Sequence, residues 1–431
     1  MYRPIIPLLA VALSCPALAQ ITAHPAAQLG HTMPSSVASQ TREASAPLSL
    51  QAALRLALQA NPELSAAEHE VLAVEAATMQ ARTLPNPTLE IRVEDTRRET
   101  RETTVQLSQP LELGGRRASR MNAAERAQDA ALADLRVRRA AVQADVITAF
   151  MNTVAAQERL RLSQESQDVA DKVTTAVSKR VQAGKASPVE ETRARVAQSY
   201  VRLEVSKAQS ELNNARLALA STWKNRSPQF QHAVGTVSNL PELPSWDVLA
   251  AKFSSLPRVV RARVEVARRE ALVAVEQSRR IPDVAITAGV KRSAEPGRNQ
   301  AVFGLSVPLP LFDRNRGNVL EALRRTDVAK DEFEAAETKT YTDLAQAYER
   351  LRVSRHEAQA LASDILPGAQ SAYDAAVKGF EFGKFAYFDV LDAQRTLIQS
   401  KADYLRAFSE SHRAAADITR ITGVDTPNIE H

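Results

Sequence analysis

One unusual phrase occurs twice in the chain, and it constrains the fold more than any other feature. The first copy runs from LPNPTLEIRVED to TTVQLSQPLELGGRR, between Leu84 and Arg117. The second runs from IPDVAITAGVKR to AVFGLSVPLPLFDRNRG, between Ile281 and Gly317. Pro110 and Pro308 end equivalent runs, 308 − 110 = 198 positions apart. Each copy reads as two short alternating strands joined by a polar loop, over 87–111 and 283–309. Each is embedded in long helical sequence free of Gly and Pro. Four strands form an open sheet with two bare edges, and the chain must deal with those edges.

The alternation says what the strands separate. Leu89, Ile91 and Val93 point one way, and Glu90, Arg92 and Glu94 the other; Val105 and Leu107 alternate with Gln106 and Ser108. In the second copy Val284, Ile286, Ala288 and Val290 alternate with Ala285, Thr287, Gly289 and Lys291. Ala301, Phe303, Leu305 and Val307 alternate with Val302, Gly304 and Ser306. A period of two fits a barrel wall between lipid and a wet lumen, and it fits a soluble antiparallel sheet over a small core equally well.

The helical sequence repeats too. Residues 118–183 contain neither Gly nor Pro, and as one helix they would run roughly 100 Å. Leu132, Leu135, Val142, Val146, Phe150 and Val154, then Val169, Val173, Val177 and Val181, recur at steps of three and four, a coiled-coil-like seam. Gly184 interrupts it and Pro188 opens a return helix to about Trp223, so 183–188 is a hairpin tip. In the second half a helix from Gly317 is expected to break at Pro367-Gly368. A second tip lies at 382–386, and a last helix runs from about Tyr387 to Ile421. Gly184 and Gly383 lie 383 − 184 = 199 apart, nearly the strand offset. Pro62 and Pro257 also correspond. The plan is therefore a repeat over 48–223, an irregular connector over 224–247, a second repeat over 248–423 and a tail over 424–431.

Composition agrees with long helices: aromatics are 5% and Gly only 13 residues. The net charge of +5 comes from interspersed charges, as on solvated helix faces, so nucleic acid is not an expected partner. Residues 1–19 read as a signal peptide, with Arg3, an apolar core over 5–13 and Ala17-Leu18-Ala19 before Gln20. That core is short of the roughly 20 residues a spanning helix needs, and no other segment qualifies, so any membrane insertion must use strands. Cys15, the sole cysteine, is either a lipid attachment site or a small residue lost with the signal; Ala12 and Leu13 fit a lipobox poorly. Residues 20–47 read as a flexible segment, in which His24, His31 and Met33 are candidates for loose metal capture. His69, His232, His356 and His412 lack ligand spacing and read as surface residues. No phosphate-cradling loop, nucleophile elbow or HExxH pair is present, so neither an enzyme nor a cofactor is expected.

Two constellations remain. Asp389 and Asp392, at i and i+3 after the second tip, share one helix face. Glu191, near the start of the return helix of the first repeat, is their candidate counterpart on an outer helix. The tips Gly184, Lys185, Ala186, Ser187 and Gly383, Lys384, Phe385, Ala386 are candidate docking points, or ordinary turns in which Gly supplies φ > 0. Arg97, Arg98 and Arg101 sit in the first strand loop, either solvated or facing anionic lipid. Spanning strands must close into a barrel of about eight or more, so four per chain require several copies.

With its export signal, twofold repeat, QPLELGGRR strand phrase and paired Gly-centred tips, the chain resembles the TolC-like outer-membrane factors over roughly residues 48–423. LPNPTLEI and SQPLELGGRR look most like the cobalt–zinc–cadmium branch. The resemblance implies a mainly α fold with a small β part. It implies a homotrimer with a 12-stranded outer-membrane β-barrel, four strands per chain, continued by a long periplasmic α-helical coiled-coil barrel. It implies a passive exit duct for heavy-metal cations, working with a periplasmic membrane-fusion adaptor and an inner-membrane RND-type pump, with outer-membrane lipid around the strands. In it Asp389 and Asp392 would form the periplasmic aperture and the tips would meet the adaptor; Phe385 departs from the small or polar residues common at such tips. The same duct for drugs or type I protein secretion is the nearest alternative. A soluble periplasmic coiled-coil adaptor is a more distant one, at odds with two hairpins and little Gly.

Overall fold

The computed structural model describes residues 46–95, 97–294 and 297–423. The signal sequence, Cys15, His24, His31, Met33 and the tail beyond 423 lie outside the described residues. The first repeat contains α1 (Leu50–Ala60), α2 (Pro62–Ala81), β1 (Thr88–Glu94), β2 (Glu102–Leu111), α3 (Arg116–Gln182) and α4 (Pro188–Ser221). The second contains α5 (Trp246–Ala251), α6 (Pro257–Ser278), β3 (Val284–Ser293), β4 (Arg298–Ser306), α7 (Arg316–Ala360), α8 (Leu366–Glu381) and α9 (Tyr387–Thr422). No described helix is long and apolar enough to cross a membrane.

Local chemistry fixes the breaks. Asn61 accepts from the N–H groups of Glu63 and Leu64, capping α2, while Pro62 fills its first turn; the Asn61 amide also donates to Thr222 O at 2.9 Å. The expected break at Pro367-Gly368 does not occur. The helix passes from α7 through a π-helical turn, Leu361–Ile365, straight into α8, where Pro367 lies in the first turn. The wider turn leaves carbonyls unclaimed where Pro lacks an N–H, so the proline is absorbed without a break.

The sheet is a fully antiparallel four-stranded order β1-β2-β3-β4 among the described residues. Its register lines up the apolar side chains in rows on one face, with Gln109, Thr103, Arg292 and Asn299 towards the ends of that face. Leu89 stands opposite Leu107, Leu107 opposite Ala288 and Ala288 opposite Phe303; Ile91, Val105, Val290 and Ala301 form the next row. The other face carries Glu90, Gln106, Arg92, Thr104, Lys291 and Glu102. There Gln106 donates to Glu90 at 2.6 Å and Lys291 pairs with Glu102 at 2.5 Å. A soluble sheet would cover its apolar face. Here Leu89, Ile91, Phe303 and Leu305 are all exposed, Phe303 by 82%. Each such side chain forgoes roughly 1.5–3 kcal/mol that burial would give.

Arginines of α3 lock it to the end of α2 and to the linker that leaves β2. Arg117 donates to Arg82 O, and Arg120 to Ala81 O and Thr83 O, so both serve carbonyls at the C-terminal end of α2. Arg120 also forks onto Glu112, whose side chain is only 9% exposed. Two apolar clusters hold the helices: Val146, Phe150 and Leu219 of the first repeat with Phe230 of the connector and Phe408 of α9 in one, and Leu256, Val259, Leu344, Leu351 and Ile418 of the second repeat in the other. The connector is strapped across the helices by Tyr404 donating to Val237 O, Arg355 to Pro241 O and His412 Nε2–H to Asn239 O.

His412 corrects a sequence expectation. His69, His232 and His356 are exposed, but His412 is buried against Phe408, at 4.5 Å between ring centres. Desolvation pushes its pKa below 6.5, the carbonyl of Asn239 opposing. The unfolded chain therefore takes up this proton first as pH falls, and the stability present above about 6.5 is lost below it. The unfolding temperature should fall between about pH 7.5 and about 5.5, and fall less in His412→Gln. An equal fall in both proteins would clear His412 of the effect.

Candidate functional site

The two hairpin tips close with the same pair of backbone hydrogen bonds. Lys185 N–H donates to Arg180 O at 2.8 Å, and Lys384 N–H to Gly379 O at 2.8 Å. Gly184 N–H donates to Val181 O and Gly383 N–H to Phe380 O. Each pair is displaced by 384 − 185 = 199 positions. Gly184 at φ 68° and Gly383 at φ 73° supply the left-handed residue that lets each helix end and reverse.

The structure brings the tips together. Arg180 of α3 donates to Phe380 O at 3.2 Å, and its guanidinium lies 4.6 Å over the Phe380 ring. Beneath them Val177, Ala194, Tyr373, Phe380, Tyr387 and Val390 form one cluster from four helices. Burial pushes the Tyr387 phenol up to about 12, so it stays neutral. Lys185 and Lys384 are exposed, as are Gly184, Ser187, Gly383 and Ala386, while Ala186 is half-buried. Ser187 caps α4 by accepting from Val189 N–H at 3.3 Å. Phe385 packs its ring on Gly379, where a Cβ would have no room, so its bulk fills a local gap while half of it stays exposed.

Asp389 and Asp392 stand on the exposed face of α9, with Tyr387 and Val390 turned into the cluster. Asp389 occupies the third position of the helix, and its carboxylate accepts from Ala386 N–H at 2.9 Å. It thus caps the helix and adds negative charge at the positive end of the helix dipole. Asp392, one turn on, has no cation or hydrogen-bond donor on its carboxylate among the described residues. Further along α9 the next acid, Asp403, is paired with Arg406 at 3.1 Å.

Glu191 is placed differently. It pairs with Arg195 at 2.6 Å and accepts from Ser178 at 3.0 Å, and those two bonds, Arg195's first, hold its carboxyl below the usual range. The third position of α4, which matches Asp389 of α9, belongs to Glu190. Sequence reasoning passed over Glu190, although counting from each helix start would have found it. Arg193 falls where Asp392 stands (392 − 199 = 193), so the two repeats differ in charge here. No group of three or more His, Cys, Asp or Glu able to hold a metal occurs among the described residues.

The sheet, with a bare apolar face and two open edges, is mounted on helical hairpins with paired tips. The family described as "outer membrane efflux protein" matches residues 53–223 and 254–424, one match per repeat. The chain is 47% identical over 382 residues to the cobalt-zinc-cadmium resistance protein CzcC of Cupriavidus metallidurans, covering 89% of this chain and 91% of that one. It is 29% identical to the nickel-cobalt-cadmium resistance protein NccC of Alcaligenes xylosoxydans xylosoxydans over 53% of this chain and 52% of the relative. Among solved structures, the open state of the MtrE outer membrane channel of Neisseria gonorrhoeae superposes with a TM-score of 0.74 at 21% identity, covering 87% of this chain and 88% of that one. The CmeC outer membrane channel of Campylobacter jejuni gives 0.74 at 16% identity, covering 87% and 85%. The chain belongs to the outer membrane efflux protein family.

Proposed function

We propose that the chain is one third of a passive exit duct in the outer membrane for heavy-metal cations such as cobalt, zinc and cadmium. Three copies give twelve strands, enough to close a barrel and leave no backbone group unpaired in lipid. The helices continue the barrel into the periplasm. The tips Gly184–Ser187 and Gly383–Ala386 meet a periplasmic adaptor, and a partner pump in the inner membrane supplies the energy. Asp389 and Asp392 line the aperture as two stacked acidic rings that favour cations, with Glu190 and the paired Glu191 on the outer helix.

The observation that carries this reading is the bare apolar face of a sheet whose two edges are free. The repeat supplies the register of the missing seam. Within the chain β2 pairs with β3, Leu107 opposite Ala288 and Val105 opposite Val290. Moving β2 onto β4 by 198 positions and β3 onto β1 by 281 − 84 = 197 sets Leu305 opposite Ile91, and Phe303 opposite Val93, of the next copy. Leu305, Ile91, Phe303 and Val93 all stay on the apolar face. The helical edge agrees: Val189, Val196, Leu203 and Leu217 of α4 are spaced by seven or its double and all exposed, a seam wanting a partner helix.

The test is growth on metals. Deleting the gene should lower tolerance to cobalt, zinc and cadmium, and the intact gene should restore it. A deletion strain that keeps its metal tolerance and loses tolerance to drugs would overturn the choice of cargo.

A further inference from the structure

We propose that the linker between β4 and α7 of one copy plugs a groove at the α2–β1 junction of the next, with Phe312 as its knob. The proposal rests on the ring closure described above and adds a second contact to it, at the level where barrel meets tube.

The chain already contains one such junction, between its own repeats. The β2–α3 linker lies against the start of β3. Gly114, at φ 65°, meets Ile281 and Ser278 so closely that a Cβ would stand 2.7 Å from the Ile281 side chain. Arg116 pairs with Asp283 at 2.5 Å and reaches Arg279 O. Shifted by 197, Ser278, Ile281 and Asp283 become Ala81, Leu84 and Asn86. Those three line a groove of about 740 Å³ together with Ala77, Pro85 and Ala124. The groove is thus the same seat, filled between the repeats and open at the edge of the chain.

The matching occupant is the β4–α7 linker of another copy. Shifted by 198, Gly114 becomes Phe312, while past the longer linker Arg116, which opens α3, matches Arg316, which opens α7. This linker is two residues longer from its proline to the residue preceding the helix, 315 − 308 = 7 against 115 − 110 = 5. Phe312 is 99% exposed and follows Leu309 and Leu311, both also exposed. An apolar run of that kind marks an interaction surface. The internal seat admits only glycine; the edge seat is open and takes an aromatic ring. Asn86 in place of Asp283 offers Arg316 a neutral partner at the rim.

Cysteine pairs in the full chain, oxidised in native membranes, test this. Leu84→Cys with Phe312→Cys should give covalent dimers and trimers on a non-reducing gel, and so should the seam pair Ile91→Cys with Leu305→Cys. Each single variant should stay monomeric after boiling. A linked seam with an unlinked junction overturns the plug and leaves the ring standing; no link in either pair overturns both. A linked junction without a linked seam keeps the plug and rejects the strand register. As a second readout, Phe312→Asp should lower the temperature at which the trimer dissociates in detergent by about 10 °C or more. An unchanged temperature overturns the plug.

Discussion

Replacing Asp389 and Asp392 together by Asn should cut the preference of the duct for cations over anions about tenfold in a planar bilayer. In a trimer the pair removes six negative charges from one constriction. Two unit charges 4 Å apart interact by about 1 kcal/mol in bulk water and about 4 kcal/mol near a protein surface. A net effect near 1.4 kcal/mol on a passing ion is a tenfold change. Asn is the informative substitution because Asp389 does two things: it accepts from Ala386 N–H at 2.9 Å, and it carries charge. The Asn side-chain oxygen keeps the first function and removes the second. Asp389→Ala would lose both, at about 1 kcal/mol for the lost hydrogen bond. Unchanged selectivity in the double Asn variant, with the trimer intact, would reduce Asp389 to a helix cap and Asp392 to a solvated residue.

The second large effect depends on a single step of register. Leu305→Arg should abolish the assembled barrel, whereas Ser306→Arg, the next residue, should be tolerated. Side chains alternate across a strand, so the first substitution points into lipid and the second into the lumen. An arginine on the lipid face costs roughly 2–4 kcal/mol at mid-membrane, and a trimer contains it three times. Leu305 is 69% exposed in the single chain, so a soluble protein would lose almost nothing by the change. The checking measurement is recovery of heat-labile trimers from outer membranes. Equal recovery of both variants would mean that the apolar face does not meet lipid.

The features legible in the sequence were the local and the repeated ones. Strand parity could be read because it has a period of two, and the tips because Gly184 and Gly383 each stop a long helix. What could not be read were contacts between residues far apart in the chain. Arg180 over Phe380 and Arg116 on Asp283 each join segments more than 160 residues apart. Nothing local distinguishes those arginines from solvated ones. His412 looked like a surface residue because the connector that buries it is irregular and distant in sequence. Pro367 read as a helix breaker because proline usually is one, and the π turn that absorbs it is a backbone adjustment with no side-chain signature. At the candidate site Asp389 was identified correctly as a residue near a helix start, yet its hydrogen bond to Ala386 and the match of Glu190 required the helix boundaries themselves.

The most direct measurement is the mass of the purified mature protein, taken with and without detergent. A wall shared among subunits predicts a detergent-dependent particle of three chains, insoluble once the detergent is removed. A single chain that stays dissolved in plain buffer would contradict it, because a free monomer could not keep those leucines, isoleucines and phenylalanines bare.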